Sequence, residues 1–101
     1  IKAEFDAALA DADAFLMPTT ATAAIPLDAV DQNDTPAMFT RVANLLERCA
    51  VSLPNGFTAG GLPSSLQIMC RGYNEAMALR IGWAYEQATD WAGRIPPNLE
   101  T

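Results

Sequence analysis

Few side chains in this chain could carry out covalent chemistry. The candidate nucleophiles are Ser52, Ser64 and Ser65 and the thiols Cys49 and Cys70; histidine is absent and Lys2 is the only lysine. A serine needs a lysine or histidine to take its proton, and a catalytic thiol needs a base beside it. Lys2 stands at a chain end, where fraying is expected, so these residues are not expected to hold a complete serine–lysine site. Asp6, Asp11 and Asp13 read as a solvated helix face, with no pair set apart as acid and base. Two cysteines without histidine imply neither a zinc site nor a disulfide scaffold, and no metal or cofactor is expected.

The stretch "PNGFTAGGLP", residues 54–63, is the other candidate, with three glycines and two prolines between "CAVSL" and "SLQIMC". A phosphate loop would end in Gly-Lys-Ser/Thr and a dinucleotide fingerprint would read Gly-x-Gly-x-x-Gly, and neither is present. Strands flank it on both sides, so no helix N-terminus follows to hold an anion. It reads as a hairpin connection.

Pairing the two strands antiparallel with Leu53 opposite Leu66 puts Cys49, Val51, Leu53, Leu66, Ile68 and Cys70 on one face. Ala50, Ser52, Gln67 and Met69 fall on the other. The first face is a core face, and the mixed one meets a second layer or a partner. The same register sets Cys49 opposite Cys70, which leaves a cross-strand disulfide open; in a chain expected to be cytosolic, two small buried thiols are the preferred reading.

The elements around this hairpin follow from spacing. Phe5, Ala8, Leu9 and Ala12 predict an amphipathic helix from Lys2 to Asp13, and "AFLM", residues 14–17, predicts a short buried strand stopped by Pro18. Residues 19–34 lack a period and read as a long loop with at most a turn of helix. Thr35 and Pro36 form an N-cap and first helical position, ahead of a helix with Met38, Val42, Leu45 and Leu46 on its apolar stripe and its end near Arg48. Asn74 is placed as the N-cap of the last helix, whose buried side carries Met77, Ile81, Ala84, Tyr85 and Ala88 up to about Trp91. "RIPPNLET" closes the chain without a helix, because Pro96 and Pro97 cannot continue one. The order is α-β-α-β-β-α, a small α/β or α+β domain over residues 1–101.

Composition bounds the function classes. The chain of 101 residues is 50% hydrophobic and 18% charged, with a formal charge of −6. That balance opposes phosphate neutralisation, so neither nucleic acid nor an anionic membrane is expected as a partner. No apolar run approaches the length of a membrane span, and the N-terminus lacks a secretory pattern, so a cytoplasmic location is expected. Ile1 opens directly into a helical pattern, as if the chain were cut from something longer.

Three strings, taken in order, resemble the amidase signature family. "DADAFLMPTT" resembles the family's D-x-hydrophobic-P-T segment, "NLLERCAVSLPNGF" its N-L-x-G-L-P-A-x-S-x-P-x-G-F, and "GLPSSLQIMCRGYNEAMALRIGWAYEQATDW" its G-L-P-x-G-L-Q run with the closing helix. The resemblance runs from about Phe5 to Pro97. It departs at Glu47, Arg48 and Cys49, where the family reads G-L-P, at Ser64 and Ser65, and at Asn55 and Cys70. With its glycine and proline replaced, that corner is expected to let Glu47 continue the helix.

The resemblance implies an amide hydrolase that forms an acyl-enzyme through a serine, activated by a lysine through a second serine. It places that machinery upstream of this chain, which would be the C-terminal segment of the domain, inactive alone, lending scaffold and part of a pocket for a small-molecule amide. The fold class implied is α/β, a fragment of a mixed sheet flanked by helices. By matching position, Thr19 and Thr20 after the first strand, and Thr40 with Arg41 on the helix after the long loop, are the candidate pocket residues. Two alternatives stand beside this reading: a non-catalytic module that self-associates through its open sheet edge, and the matching part of the A subunit of a glutamine-dependent tRNA amidotransferase.

Overall fold

A computed structural model describes residues 1–99; Glu100 and Thr101, the end of the closing segment, lie outside the described residues. The principal elements are α1 (Lys2–Ala8), β1 (Phe15–Pro18), α2 (Arg41–Leu45), β2 (Cys49–Phe57), β3 (Pro63–Cys70) and α3 (Glu75–Ala88), with 3-10 turns at Leu27–Ala29, Pro36–Met38 and Pro97–Leu99. The α-β-α-β-β-α order is the one the sequence predicts. The three strands form one sheet in the order β1-β3-β2, and both pairings are antiparallel.

Strand β3 lies in the middle and is buried on both faces. Ile68, Met69 and Cys70 have no exposed surface. The hairpin has the expected register, Cys49 facing Cys70 and Leu53 facing Leu66. Both strands run further than "CAVSL" and "SLQIMC", because a bulge lets "PNGF" pair. The register slips between Pro54 and Gly56, and Ser64 Oγ donates to Asn55 Oδ1 at 2.8 Å across the slip. Only the segment 58–62 is left as connection, closed by Thr58 N–H to the Leu62 carbonyl at 2.8 Å and by Leu62 N–H to Thr58 Oγ1 at 3.2 Å. Pro18 and Pro54 sit in the two edge strands and Pro63 starts the central one, the places where a missing donor does least harm.

The two faces of the sheet meet different layers. On one, Leu53, Ile68 and Cys70 pack with Ala78 of α3, with Met77, Ile81 and Tyr85 around them. Gly82 allows this approach, since a Cβ there would lie 3.1 Å from Leu53 Cδ1. The mixed face is covered by the chain from Pro36 to Leu46. Gln67 Nε2 donates to the Phe39 carbonyl at 3.3 Å, and Ala43 and Leu46 are buried. The face that could have met a partner is thus occupied, over the central strand, by the second layer.

Several boundaries differ from expectation for identifiable reasons. Helix α1 stops at Ala8, not Asp13: the Arg71 guanidinium takes the Ala10 carbonyl at 2.9 Å, and the chain turns so that Phe15 meets Phe5 edge-on at 5.8 Å. The expected helix up to Arg48 is split. Thr35 Oγ1 accepts from Ala37 N–H at 3.2 Å and caps the Pro36–Met38 turn, and α2 follows for one short stretch. The expectation that Glu47 continues this helix is wrong. Glu47 adopts φ +55°, with Arg48 N–H donating to the Ala43 carbonyl at 2.8 Å and Glu47 N–H to that of Asn44 at 3.4 Å. This is a Schellman ending with glutamate in the left-handed position glycine usually fills. Helix α3 ends at Ala88, without a side-chain cap from Asn74, and Pro97 opens a 3-10 turn where no helical structure was expected.

The Glu47 corner is closed from both sides. A Cβ on Gly72 would collide with the Glu47 carbonyl oxygen, so only glycine lets the β3–α3 connection pass there. Arg48, its side chain 5% exposed, lies 4.9 Å over the Phe5 ring and donates to Asp6 Oδ1 at 2.6 Å. Lys2 Nζ reaches Asp6 Oδ2 at 2.8 Å. These hydrogen bonds, from Lys2 and then Arg48, hold the Asp6 carboxyl below the usual carboxylate value. Among the described residues Arg48 Nε is buried without a partner, and Asp6 is the carboxylate that compensates this guanidinium.

This corner can be tested at two residues. Glu47→Gly should stabilise the chain by about 1 kcal/mol, read as a higher denaturant midpoint, by relieving the left-handed residue. Because the Asp6 value is lowered by folding, its contribution is fully present above the unfolded carboxylate value and is lost as pH falls through the folded one. Asp6→Asn should therefore lower thermal stability at neutral pH and flatten the acid limb of the stability curve below about pH 4; an unchanged acid limb would show that the clasp carries no stability.

Candidate functional site

The sheet row formed by Met17, Gln67 and Ser52 organises the candidate residues. These three lie side by side across β1, β3 and β2 on the face covered by the second layer. Thr19, one residue past β1, donates its N–H to the Ser65 carbonyl at 3.2 Å, and its Oγ1 shares a hydrogen bond with Ser52 Oγ at 2.8 Å. Gln67 is 3% exposed and holds the carbonyl of Phe39, the residue before Thr40. Thr19 is thus anchored to Ser52 in this row, and the Phe39 carbonyl, one residue before Thr40, is anchored to Gln67 in the same row.

Thr20 and Arg41 are placed differently. The Thr20 hydroxyl donates to the Thr22 carbonyl at 2.7 Å, a local turn contact that directs it into the long loop. There it lines a cavity of about 480 Å³ with Ile25, Val30, Asp34, Thr35 and Met38. Thr40 Oγ1 donates to the Ala37 carbonyl at 3.3 Å, satisfying the hydroxyl within its own turn. Arg41 opens α2, is exposed, and takes part in none of the ion pairs among the described residues. The four candidates therefore divide: Thr19 is hydrogen-bonded to the sheet, Thr40 follows the sheet-bound Phe39 with its hydroxyl satisfied in its own turn, Arg41 is exposed, and Thr20 lines the loop cavity.

A second concavity, of about 690 Å³, lies between the hairpin tip and the chain after α3. Phe57 and Trp91 meet edge-on at 6.0 Å, and Arg94 stacks over both rings, 5.7 Å from Phe57 and 4.8 Å from Trp91, while paired with Asp90 at 3.1 Å. Sequence reading missed this cluster. Phe57 is 34 residues from Trp91, so only the folding of the tail onto "GFTAGGLP" brings it to Asp90, Trp91 and Arg94. Here the glycine-rich stretch forms a wall, with Gly56, Gly61 and Pro63 in the lining.

Among the described residues no base stands beside a candidate nucleophile, and Ser52, Ser64 and Cys49 are hydrogen-bonded to other groups. Ser52 is paired with Thr19 and Ser64 with Asn55. Lys2 is held by Asp6, whose hydrogen bond and charge raise the ammonium above its ordinary value, the opposite of what a general base requires. Among the described residues no group of three or more Cys, Asp or Glu could hold a metal ion, and no helix is long and apolar enough to cross a membrane.

Comparison with known proteins adds a second line of observation. The family model for amidases matches residues 1–79. The A subunit of a glutamyl-tRNA(Gln) amidotransferase from Synechococcus sp. (strain JA-2-3B'a(2-13)) is 40% identical over 102 residues, 96% of this chain and 19% of that protein. The protein of the same name from Roseiflexus sp. (strain RS-1) is 38% identical over 101 residues, 95% of this chain and 20% of its own length. A crystal structure of the Thermotoga maritima counterpart superposes with a TM-score of 0.82 at 29% identity, covering 94% of this chain and 22% of that one. The chain thus spans about a fifth of the length of the relatives it matches.

The buried amide of Gln67 gives a direct test of how the candidate residues are held. Gln67→Leu should cost about 1 kcal/mol through the lost hydrogen bond and leave the Phe39 carbonyl unanswered. Limited proteolysis should then cut faster in the segment 36–46, with the hairpin remaining resistant; cleavage unchanged in that segment would show that Gln67 does not hold it.

Proposed function

The chain belongs to the amidase family, and from that premise we propose that residues 1–101 are one folded unit, the C-terminal segment of an amide-bond-cleaving protein. In this reading the segment supplies scaffold and one wall of the substrate pocket, and the serine–serine–lysine machinery stands in the part of the relatives that it does not span. The observation that supports it is a sheet row that holds Thr19 through Ser52 and the Phe39 carbonyl before Thr40 through Gln67, in a chain whose serines have no base beside them among the described residues. A cytoplasmic reaction on a small amide is the matching setting.

The mechanism divides accordingly. The upstream serine adds to the amide carbonyl, ammonia or an amine leaves, and an acyl-enzyme remains for hydrolysis. This segment positions substrate. Thr19, held between the Ser65 backbone and Ser52, and Thr40, which follows the Phe39 carbonyl held by Gln67, are the hydroxyls this segment offers. Arg41 offers a guanidinium suited to a carboxylate carried by the amide substrate. Thr20 stands apart in the loop cavity and has the smallest part in this scheme.

A more specific version is favoured by the names of the relatives, which are A subunits of glutamyl-tRNA(Gln) amidotransferases. In it the released ammonia is passed to a glutamyl-tRNA instead of being lost to solvent. The charge of −6 bears only on direct RNA contact by this segment, so it does not set the nucleic acid aside as a partner of the complete protein.

The test has two arms. The 101-residue chain should release no ammonia from glutamine or simple amides, and release by the chain itself would overturn the division of labour. In the complete protein, Arg41→Ala and Thr40→Val should each raise KM for a carboxylate-bearing amide about tenfold, with a smaller change in kcat. Unchanged KM in both variants would remove these residues from the pocket. Amide transfer to glutamyl-tRNA(Gln), measured beside ammonia release, separates the transferase version from the hydrolase.

A further inference from the structure

Cys49 and Cys70 are both free thiols, and they occupy directly paired positions at the open end of the hairpin. Facing residues of an antiparallel pair have Cα atoms roughly 4.5–5.5 Å apart, inside the window of roughly 4.4–6.8 Å that a disulfide spans. Both side chains project from the same face of the sheet, toward α3, where Cys70 belongs to the buried cluster and Cys49 packs against it. The thiol of Cys49 donates to the Arg71 carbonyl at 3.3 Å, which holds it against the residue next to Cys70. The two differ in access: Cys49 is partly exposed and Cys70 wholly buried. Burial, and then the nearby Cys49, push the Cys70 thiol above its ordinary value, so solution reagents meet Cys49 first.

We propose that Cys49 and Cys70 form an oxidisable pair, in which Cys49 reacts with a low-molecular-weight disulfide and Cys70 resolves the product into a cross-strand disulfide. In the first step the Cys49 thiolate attacks one sulfur of oxidised glutathione, a Cys49–glutathione bond forms and one glutathione thiolate leaves. In the second, the Cys70 thiolate attacks Cys49 Sγ and expels the second glutathione. The two cysteines lose two protons and two electrons, and the oxidant is reduced to two thiols. The product fastens the start of β2 to the end of β3, beside the Glu47 corner and the close passage at Gly72. The pair would thus tie together the two segments that meet at that corner, independently of any role in an amide-cleaving site.

The experiment is oxidation of the folded chain with oxidised glutathione, acid quenching, alkylation under denaturing conditions and intact-mass measurement. The expected product is monomeric, lighter by two hydrogens, and neither alkylated nor glutathionylated. Its thermal midpoint should stand above that of the reduced chain by on the order of 10 °C, and return on reduction. Cys70→Ala should accumulate the glutathione adduct on Cys49, and Cys49→Ala should accumulate little adduct. Each variant is checked for folding by circular dichroism; if Cys70→Ala does not fold, the wild-type product alone decides. A wild-type chain that stops at the glutathione adduct, pairs between molecules, or remains fully alkylatable after oxidation would overturn the proposal.

Discussion

Strand β3 is the constraint from which the rest of the chain takes its place. It is paired along both edges and covered on both faces, so each of its residues from Gln67 to Cys70 must suit an interior. Removing the side chain of Ile68 to Ala would cost about 2–5 kcal/mol on the usual scale for buried aliphatics, a large share of the stability of so small a unit. The other elements are covers for this strand. Helix α3 closes one face, the chain from Pro36 to Leu46 closes the other, and β1 and β2 satisfy its backbone. The polar exception, Gln67, is answered by a carbonyl of the covering layer and therefore fixes where that layer sits.

Much of this was legible in the residues, and the parts that were not have a common cause. The hairpin register followed from alternation, since a slip by one residue would have turned Leu53 of β2 away from the face that Leu66 and Ile68 of β3 share. The Thr35–Pro36 start and the body of α3 likewise rest on local signals. The misplaced boundaries rest on distant ones. Helix α1 ends early because Arg71, remote in sequence, claims the Ala10 carbonyl, and Glu47 leaves the helix because the corner must bring Arg48 beneath Phe5. No window along the chain contains both partners of either contact.

The candidate site shows the same division. Position after the strand and on the helix named Thr19, Thr20, Thr40 and Arg41, and the fold turns Thr20 into the loop through a contact two residues long while Thr19 bonds to the sheet. The hairpin register already set Ser52 beside Gln67; what the sequence could not supply is Met17 of β1 as the third member of that row, or Thr19 and the Phe39–Thr40 peptide bonded to it, because these contacts join distant segments. The family strings carried the identity, and the sheet carries the geometry. The acidic surface is a property of the exterior and leaves this row untouched.

The stacking of Arg94 over Trp91 and Phe57 also provides an optical gauge. The chain has two tryptophans in unlike settings: Trp83 on α3 is 65% exposed, whereas Trp91 is partly covered against the hairpin tip. Movement of the tail away from the tip would change the environment of Trp91 and leave that of Trp83 as it is. Emission that shifts before the far-ultraviolet signal does would then report the tail peeling from the sheet as an event separate from unfolding.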